Sequence, residues 1–235
     1  RKQDKFDLAN KPEAWLDWSG IQNVRCRAEE ALGHAKTDAA KFKLIRDITI
    51  LRLLADQPPD RVGVTRSLIL GSSLKVKEGG GYELDLSEPG AHKTSSLFGA
   101  TRTTLNASVT PWLDRYIKLA LIPNGGHLFH PSGSPLEAIE ISNWTHLVQS
   151  IFMRHGGVKL SPEDTRASFI TFLRTGEHDD ATVKAASIAM RHSSKTQSSN
   201  AYDKGSCDLR VNAAMKVAAD FSAKFSAASS SSSAK

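Results

Sequence analysis

Between residues 68 and 105 the apolar residues of this chain lose the helical spacing that they keep on both sides. Upstream, residues 39–56 place Phe42, Ile45, Ile48, Leu51 and Leu54 or Ala55 on one helical face, and Gln57-Pro58-Pro59-Asp60 ends that helix. A short helix or turn then carries Arg61 to Leu68. Inside the window Gly recurs among Val, Leu and Tyr. KEGGGYELDL (77–86) reads as a hairpin with a loose glycine turn, and AHKTSSLFG (91–99) and TRTTLN (101–106) as further short strands. Downstream the helical spacing returns. Trp112, Leu113 or Tyr116, and Leu119 or Ala120 share a face over 109–121, and a loop follows over 123–135. Ile141, Trp144, Leu147 or Val148, and Ile151 mark a helix over 136–154. Ser161, Pro162 and Asp164 form a box-like helix start before Phe169, Ile170, Phe172 and Leu173, and Gly176 is the stop. Shorter helices are expected over 179–190 and 194–203, and an amphipathic one over about 208–226. The fold class that follows is α+β, mainly helical, with a small antiparallel sheet of about three strands.

Before the first helix the chain is mixed and charged. PEAWLDW (12–18) reads as a helix start, with Pro12 in the first turn and Trp15 and Trp18 on one face. The last residues, SAASSSSSAK, are low in complexity, and a disordered tail is expected over 228–235. At 235 residues the chain has room for one large domain, or one domain and part of a neighbour. It begins with Arg1 rather than Met, as a fragment of a longer chain does.

The net charge of +6 permits nucleic acid as a partner without requiring it. No apolar run has the length of a membrane span. Cys26 and Cys207 lie far apart with no CxxC pair, so both are expected as thiols in a reduced intracellular compartment. Gly79-Gly80-Gly81 lacks the following Lys-Ser/Thr of a phosphate loop, and no G-x-S-x-G is present. His127 and His130 have H-x-x-H spacing, but they lie in a Pro/Gly loop with no partner pattern. No metal and no cofactor are expected.

Five residues stand out together, and each has an ordinary reading. Arg61 at a helix start is commonly ion-paired. Lys93, in HKTSS, suits a hairpin edge as a guard against aggregation. Arg166 can pair with Glu163 one turn earlier. His192 can cap the C-terminus of a helix of small residues. Tyr202, ten residues on in a run of Ser, Lys and Thr, can be a surface tyrosine.

In the order Arg61, Lys93, Arg166, His192, Tyr202, within DRVGVTRSLIL, HKTSSLFGATRTTLNASVTPWLDRYI, HLFHPSGSP, DTRASFITFL and MRHSSKTQSSNAYDK, the sequence resembles the catalytic domain of the tyrosine recombinases, the phage-integrase family. The match covers about residues 40–205, and its phrasing is nearest to members from eukaryotic mobile elements and large algal viruses. The resemblance implies a catalytic domain over 39–205, with 1–38 as a linker or the trailing helix of an N-terminal DNA-binding domain. It makes the helix within 206–227 a candidate for exchange between protomers, with packing on its own core as the equal alternative. It also implies double-stranded DNA as partner, a homotetramer on paired sites with a monomer as the alternative for the isolated chain, and residence wherever the target DNA lies, in a nucleus or a viral or host DNA compartment. Where family members often carry His three residues before the second arginine, this chain has Glu163. Where they often carry an acid three residues after the first arginine, it has Val64, and Arg66 is a lesser rival to Arg61.

The chemistry such a set permits is specific. A phenol must lose its proton, a phosphate must accept added negative charge, and a 5′-oxygen must gain a proton as it leaves. Two guanidinium forks match phosphate oxygens and never deprotonate. His192 adds a donor, Lys93 is placed as general acid, and Glu163 as acceptor of the phenolic proton of Tyr202. Neither metal nor ATP is required, because the phosphotyrosyl ester keeps the bond energy for resealing. Relaxation by a type IB topoisomerase uses the same roles. A protein that has kept the fold and lost catalysis, with Glu163 and Val64 as signs, is the alternative of a different class.

Overall fold

The computed structural model describes residues 15–88, 101–176, 178–190 and 214–225. Within these the chain is mainly helical and carries a three-stranded antiparallel sheet, as the change of period predicts.

Helix α1 (Trp18–Gly33) starts later than Pro12 implies. The Asp17 side chain accepts from the Gly20 N–H at 2.6 Å and fixes the start there, which leaves Trp15 outside the helix. Its buried face, Trp18, Ile21, Val24 and Ala28, enters the same core as the rest of the molecule. Helix α2 (Asp38–Ala55) is capped by Thr37, whose Oγ1 accepts from the Ala40 N–H at 3.2 Å. The sequence points to a single apolar stripe on α2. In the structure Ile50 and Leu53 are buried too, because the second half of α2 is enclosed all round. Phe42, near its start, is only partly buried.

The turn after α2 leads into helix α3 (Val62–Thr65), and the sheet follows. Strand β1 (Leu74–Val76) pairs with β2 (Tyr82–Asp85), and β2 pairs with β3 (Arg102–Thr104). The hairpin turns on Gly79, Gly80 and Gly81, at φ of 86°, 98° and 82°. Three successive left-handed residues are cheap only for glycine, so the GGG run is the turn itself. AHKTSSLFG, expected as a strand, lies outside the described residues.

A 3-10 turn (Ala107–Val109) opens into helix α4 (Thr110–Ala120), which buries Leu113 and Tyr116 while Leu119 stays 48% exposed. Helix α5 (Ile141–Gly156) begins five residues later than its spacing implies. The intervening N–H groups are already used: Ser134 donates to the Pro131 carbonyl, Glu137 to Ser134, and Ile139 to Phe129. Ile141, counted in the apolar stripe, is therefore 55% exposed, and the buried face starts at Trp144. Helix α6 (Pro162–Thr175) has the capping box in full, with Ser161 N–H donating to Asp164 Oδ2 at 2.8 Å. Gly176 ends α6 in extended backbone, φ −81° and ψ 162°, rather than in a left-handed turn. Helix α7 (Asp180–Ala189) is capped by Asp179. The helix expected over 194–203 lies outside the described residues.

Helix α8 (214–225) packs on this chain's own core. Ala214 and Ala218 are fully buried, and Phe221 meets Phe172 edge-on at 4.7 Å. Ser222 Oγ donates to Asp56 Oδ1 at 2.8 Å.

Candidate functional site

The proline-rich stop after α2 delivers Arg61. Pro58 and Pro59 cannot continue the helix, so the backbone extends and Arg61 becomes the N-terminal cap of α3 at φ −64°, ψ 147°. Its N–H donates to the Asp60 carboxylate at 2.7 Å, and its side chain is half-buried.

Arg166 sits one turn into α6 and is 6% exposed. Its guanidinium is held by backbone carbonyls from two other segments. Nη1 donates to the Pro59 carbonyl at 2.9 Å, and Nη2 donates to the Met190 carbonyl at 2.8 Å. Pro59 lies two residues before Arg61, and Met190 two residues before His192. One buried cation thus ties together the segments that carry the first arginine and lead to the histidine. Glu163, in the first turn of α6, is exposed.

A narrow cleft lies against this arrangement, lined by Gln57, Pro58 and Asp60 of the turn, Leu84, Thr103 and Leu105 of the sheet, Ala189 of α7 and Met215 of α8. The sheet rim is fixed by charge. Asp85 on β2 accepts from Lys75 Nζ at 2.8 Å and from Ser87, and Arg102 Nε lies 3.2 Å away. These donors, Lys75 first, hold the Asp85 carboxyl far below the usual carboxylate range. At this rim Leu86 N–H donates to the Thr101 carbonyl at 2.8 Å. Lys93, His192 and Tyr202 themselves lie outside the described residues.

Arg66, the rival first arginine, is engaged elsewhere: Nη1 donates to the Ile139 carbonyl at 2.8 Å, in the loop before α5. Val64 is 2% exposed and belongs to the core. In the H-x-x-H loop, His130 Nδ1 lies 2.8 Å from the Pro131 carbonyl, and burial lowers the pKa of His127. Among the described residues no group of three or more His, Cys, Asp or Glu side chains is placed to hold a metal ion. No described helix is long and apolar enough to cross a membrane.

No family model matches the chain, and no curated protein is significantly similar to it. Among solved structures, the crystal structure of XerA recombinase is similar at a TM-score of 0.49 and 15% sequence identity. The match covers 85% of this chain and 65% of that one, so this chain spans just under two thirds of that protein's length.

Sequence reasoning missed the two carbonyls that hold Arg166. No residue type marks a backbone oxygen as a guanidinium ligand. The one available signal was that each carbonyl lies two residues before a singled-out residue, Arg61 or His192. Asp60 and Thr103, which line the cleft, were also missed, since QPPD reads simply as a helix stop.

The remaining tyrosines are both in the core. Tyr82 is 4% exposed and its hydroxyl donates to Asp114 Oδ1 at 2.6 Å, and burial first and that bond second raise its pKa strongly. Tyr116 is 5% exposed between Phe42 and Phe129, and burial pushes its pKa up to about 12. Neither is suited to become a phenolate nucleophile.

Proposed function

We propose that this chain is the catalytic part of a DNA strand-exchange enzyme that cuts and rejoins DNA through a 3′-phosphotyrosyl intermediate. The observation that supports the reading is the Arg166 clamp, in which one guanidinium binds the carbonyls of Pro59 and Met190, each two residues before a residue of the proposed set. The burial of Tyr82 and Tyr116 supports Tyr202 as the nucleophile among the chain's three tyrosines.

In this reading the Tyr202 oxygen attacks the scissile phosphorus, and its proton passes to Glu163. The phosphorus–5′-oxygen bond breaks, and Lys93 protonates the leaving oxygen. Arg61, Arg166 and His192 stabilise the charge on the five-coordinate phosphate. A 5′-hydroxyl from a partner strand then attacks the phosphotyrosine and reseals the DNA with no outside energy source. Four copies acting on two DNA sites belong to the same reading.

A second reading is favoured by one finding. Val64 is buried where family members often carry an acid, so the carboxylate of that position is missing, as in a DNA-binding protein that has lost catalysis. A nicked suicide duplex separates the two. Wild type is expected to give a covalent protein–DNA band on a denaturing gel, and Tyr202→Phe and Arg166→Lys none. Absence of a band from wild type across varied site sequences supports the binding-only reading, and a band that survives in Tyr202→Phe removes Tyr202 as the nucleophile.

A further inference from the structure

Away from the Arg166 cleft, toward the N-terminal half of α2, lies a larger cavity of about 460 Å³. That volume falls within the range of small-molecule sites, and so does its make-up of apolar walls with a few convergent polar groups. One wall is aromatic: Phe42 meets Tyr116 at 6.1 Å between ring centroids, and Tyr116 meets Phe129 at 5.7 Å. Leu119, Ile139 and Leu147 line it as well. Leu119 is half exposed there.

The polar side of the cavity is cationic. Arg46 lines it, and among the described residues the guanidinium makes one bond, from Nη2 to Asp47 Oδ1 at 3.2 Å. Its Nε is buried and has no acceptor there. Asp47 does not neutralise it, because the same carboxylate also takes Arg154 and lies 3.5 Å from His155 Nε2. Two guanidinium groups thus share one carboxylate, and Arg46 is the one of the two that lines the cavity. A partly exposed guanidinium lining a cavity beside an aromatic wall is the complement of a carboxylate attached to a flat apolar body.

We propose that this cavity is a binding site for a small apolar carboxylate, with Arg46 taking the charge and the Phe42–Tyr116–Phe129 wall taking the ring or chain. The site shares no lining residue with the Arg166 cleft, and it stands or falls independently of strand exchange.

The test is a titration of the full chain with sodium 1-naphthoate, followed through methyl NMR signals. The expected result is saturable shifts at Leu119, Ile139 and Leu147, with ring-to-methyl NOEs to the same residues. The uncharged 1-naphthamide is expected to bind about tenfold more weakly, the loss that one charge-assisted pair represents. Arg46→Gln is expected to show the same loss for naphthoate, and Arg46→Lys a smaller one. Leu147→Trp, which adds bulk to the lining, is expected to abolish the shifts. Equal affinity for the acid and the amide on wild type overturns the proposal without relying on any variant being folded. Shifts confined to other residues, or no saturation, overturn it as well.

Discussion

At the scale of single residues, the charged groups here work mainly as struts. Arg166 is anchored by carbonyls of two distant segments, and Asp85 is gripped by donors from its own strand end and from both neighbouring strands. The Asp85 pKa is lowered in the folded state, so the carboxylate adds stability above its unfolded value of about 4, and that stability is lost as pH falls toward the folded value. Urea midpoints measured from pH 6 down to pH 2 are therefore expected to drop more steeply in wild type than in Asp85→Asn. Lys75 is 45% and Arg102 62% exposed, so added salt is expected to shrink the difference. Parallel slopes for the two proteins would show that Asp85 does not govern the acid limb. Arg61 and Arg166 were legible in the sequence as cations in order, but their supports were not, because a backbone oxygen carries no letter of its own.

At the scale of elements, the helices that announced themselves most clearly were those with local stop and start chemistry. The Ser161–Asp164 box and the proline stop after α2 are nearest-neighbour effects, and they put α6 and α2 where the spacing placed them. The starts of α1 and α5 depended on competition for N–H groups. Asp17 captured one, and the turns over 131–140 captured others. Helix contacts depend on shape in a way that spacing alone does not convey. At the end of α5, a methyl placed on Gly156 would stand 2.6 Å from Val24 Cγ2 on α1. Alanine at this position gains about 1 kcal/mol of helix propensity but meets an overpacking cost of about 1–3 kcal/mol. Gly156→Ala is expected to lower stability in urea by about 1 kcal/mol in net terms. Combining it with Val24→Ala is expected to remove the clash, so the pair should cost less than the sum of the single changes. Simple additivity would mean that the two helices move apart freely.

At the scale of the molecule, one buried carboxylate joins elements from both ends of the chain. Asp56, with no exposure, takes Arg52 Nη1 at 2.6 Å, Ser108 Oγ at 2.5 Å, Ser222 Oγ at 2.8 Å and Arg25 Nε at 3.3 Å. Glu29 shares the same two arginines, at 3.1 Å from Arg25 and 2.7 Å from Arg52, so the cluster balances its charge. Removing one member leaves buried charge without a partner. Asp56→Ala is expected to cost about 3–5 kcal/mol in urea unfolding. It is also expected to raise hydrogen exchange in α8 more than in α4, since α8 is tied to this carboxylate through Ser222. Uniform exchange across both helices would show that the cluster is not what holds α8. None of this network could be read from the sequence, since its members are spread from Arg25 to Ser222 with no shared period.

That carboxylate also brings residues 22 and 222 together: Ser222 Oγ lies 3.5 Å from Gln22 Oε1 across 200 positions. Among the described residues, the first helix and the last one thus meet. The chain's segments could therefore be rewritten in a different order, with the old ends welded by a flexible bridge and new ends opened at the glycine bend, while every contact around Asp56 is kept.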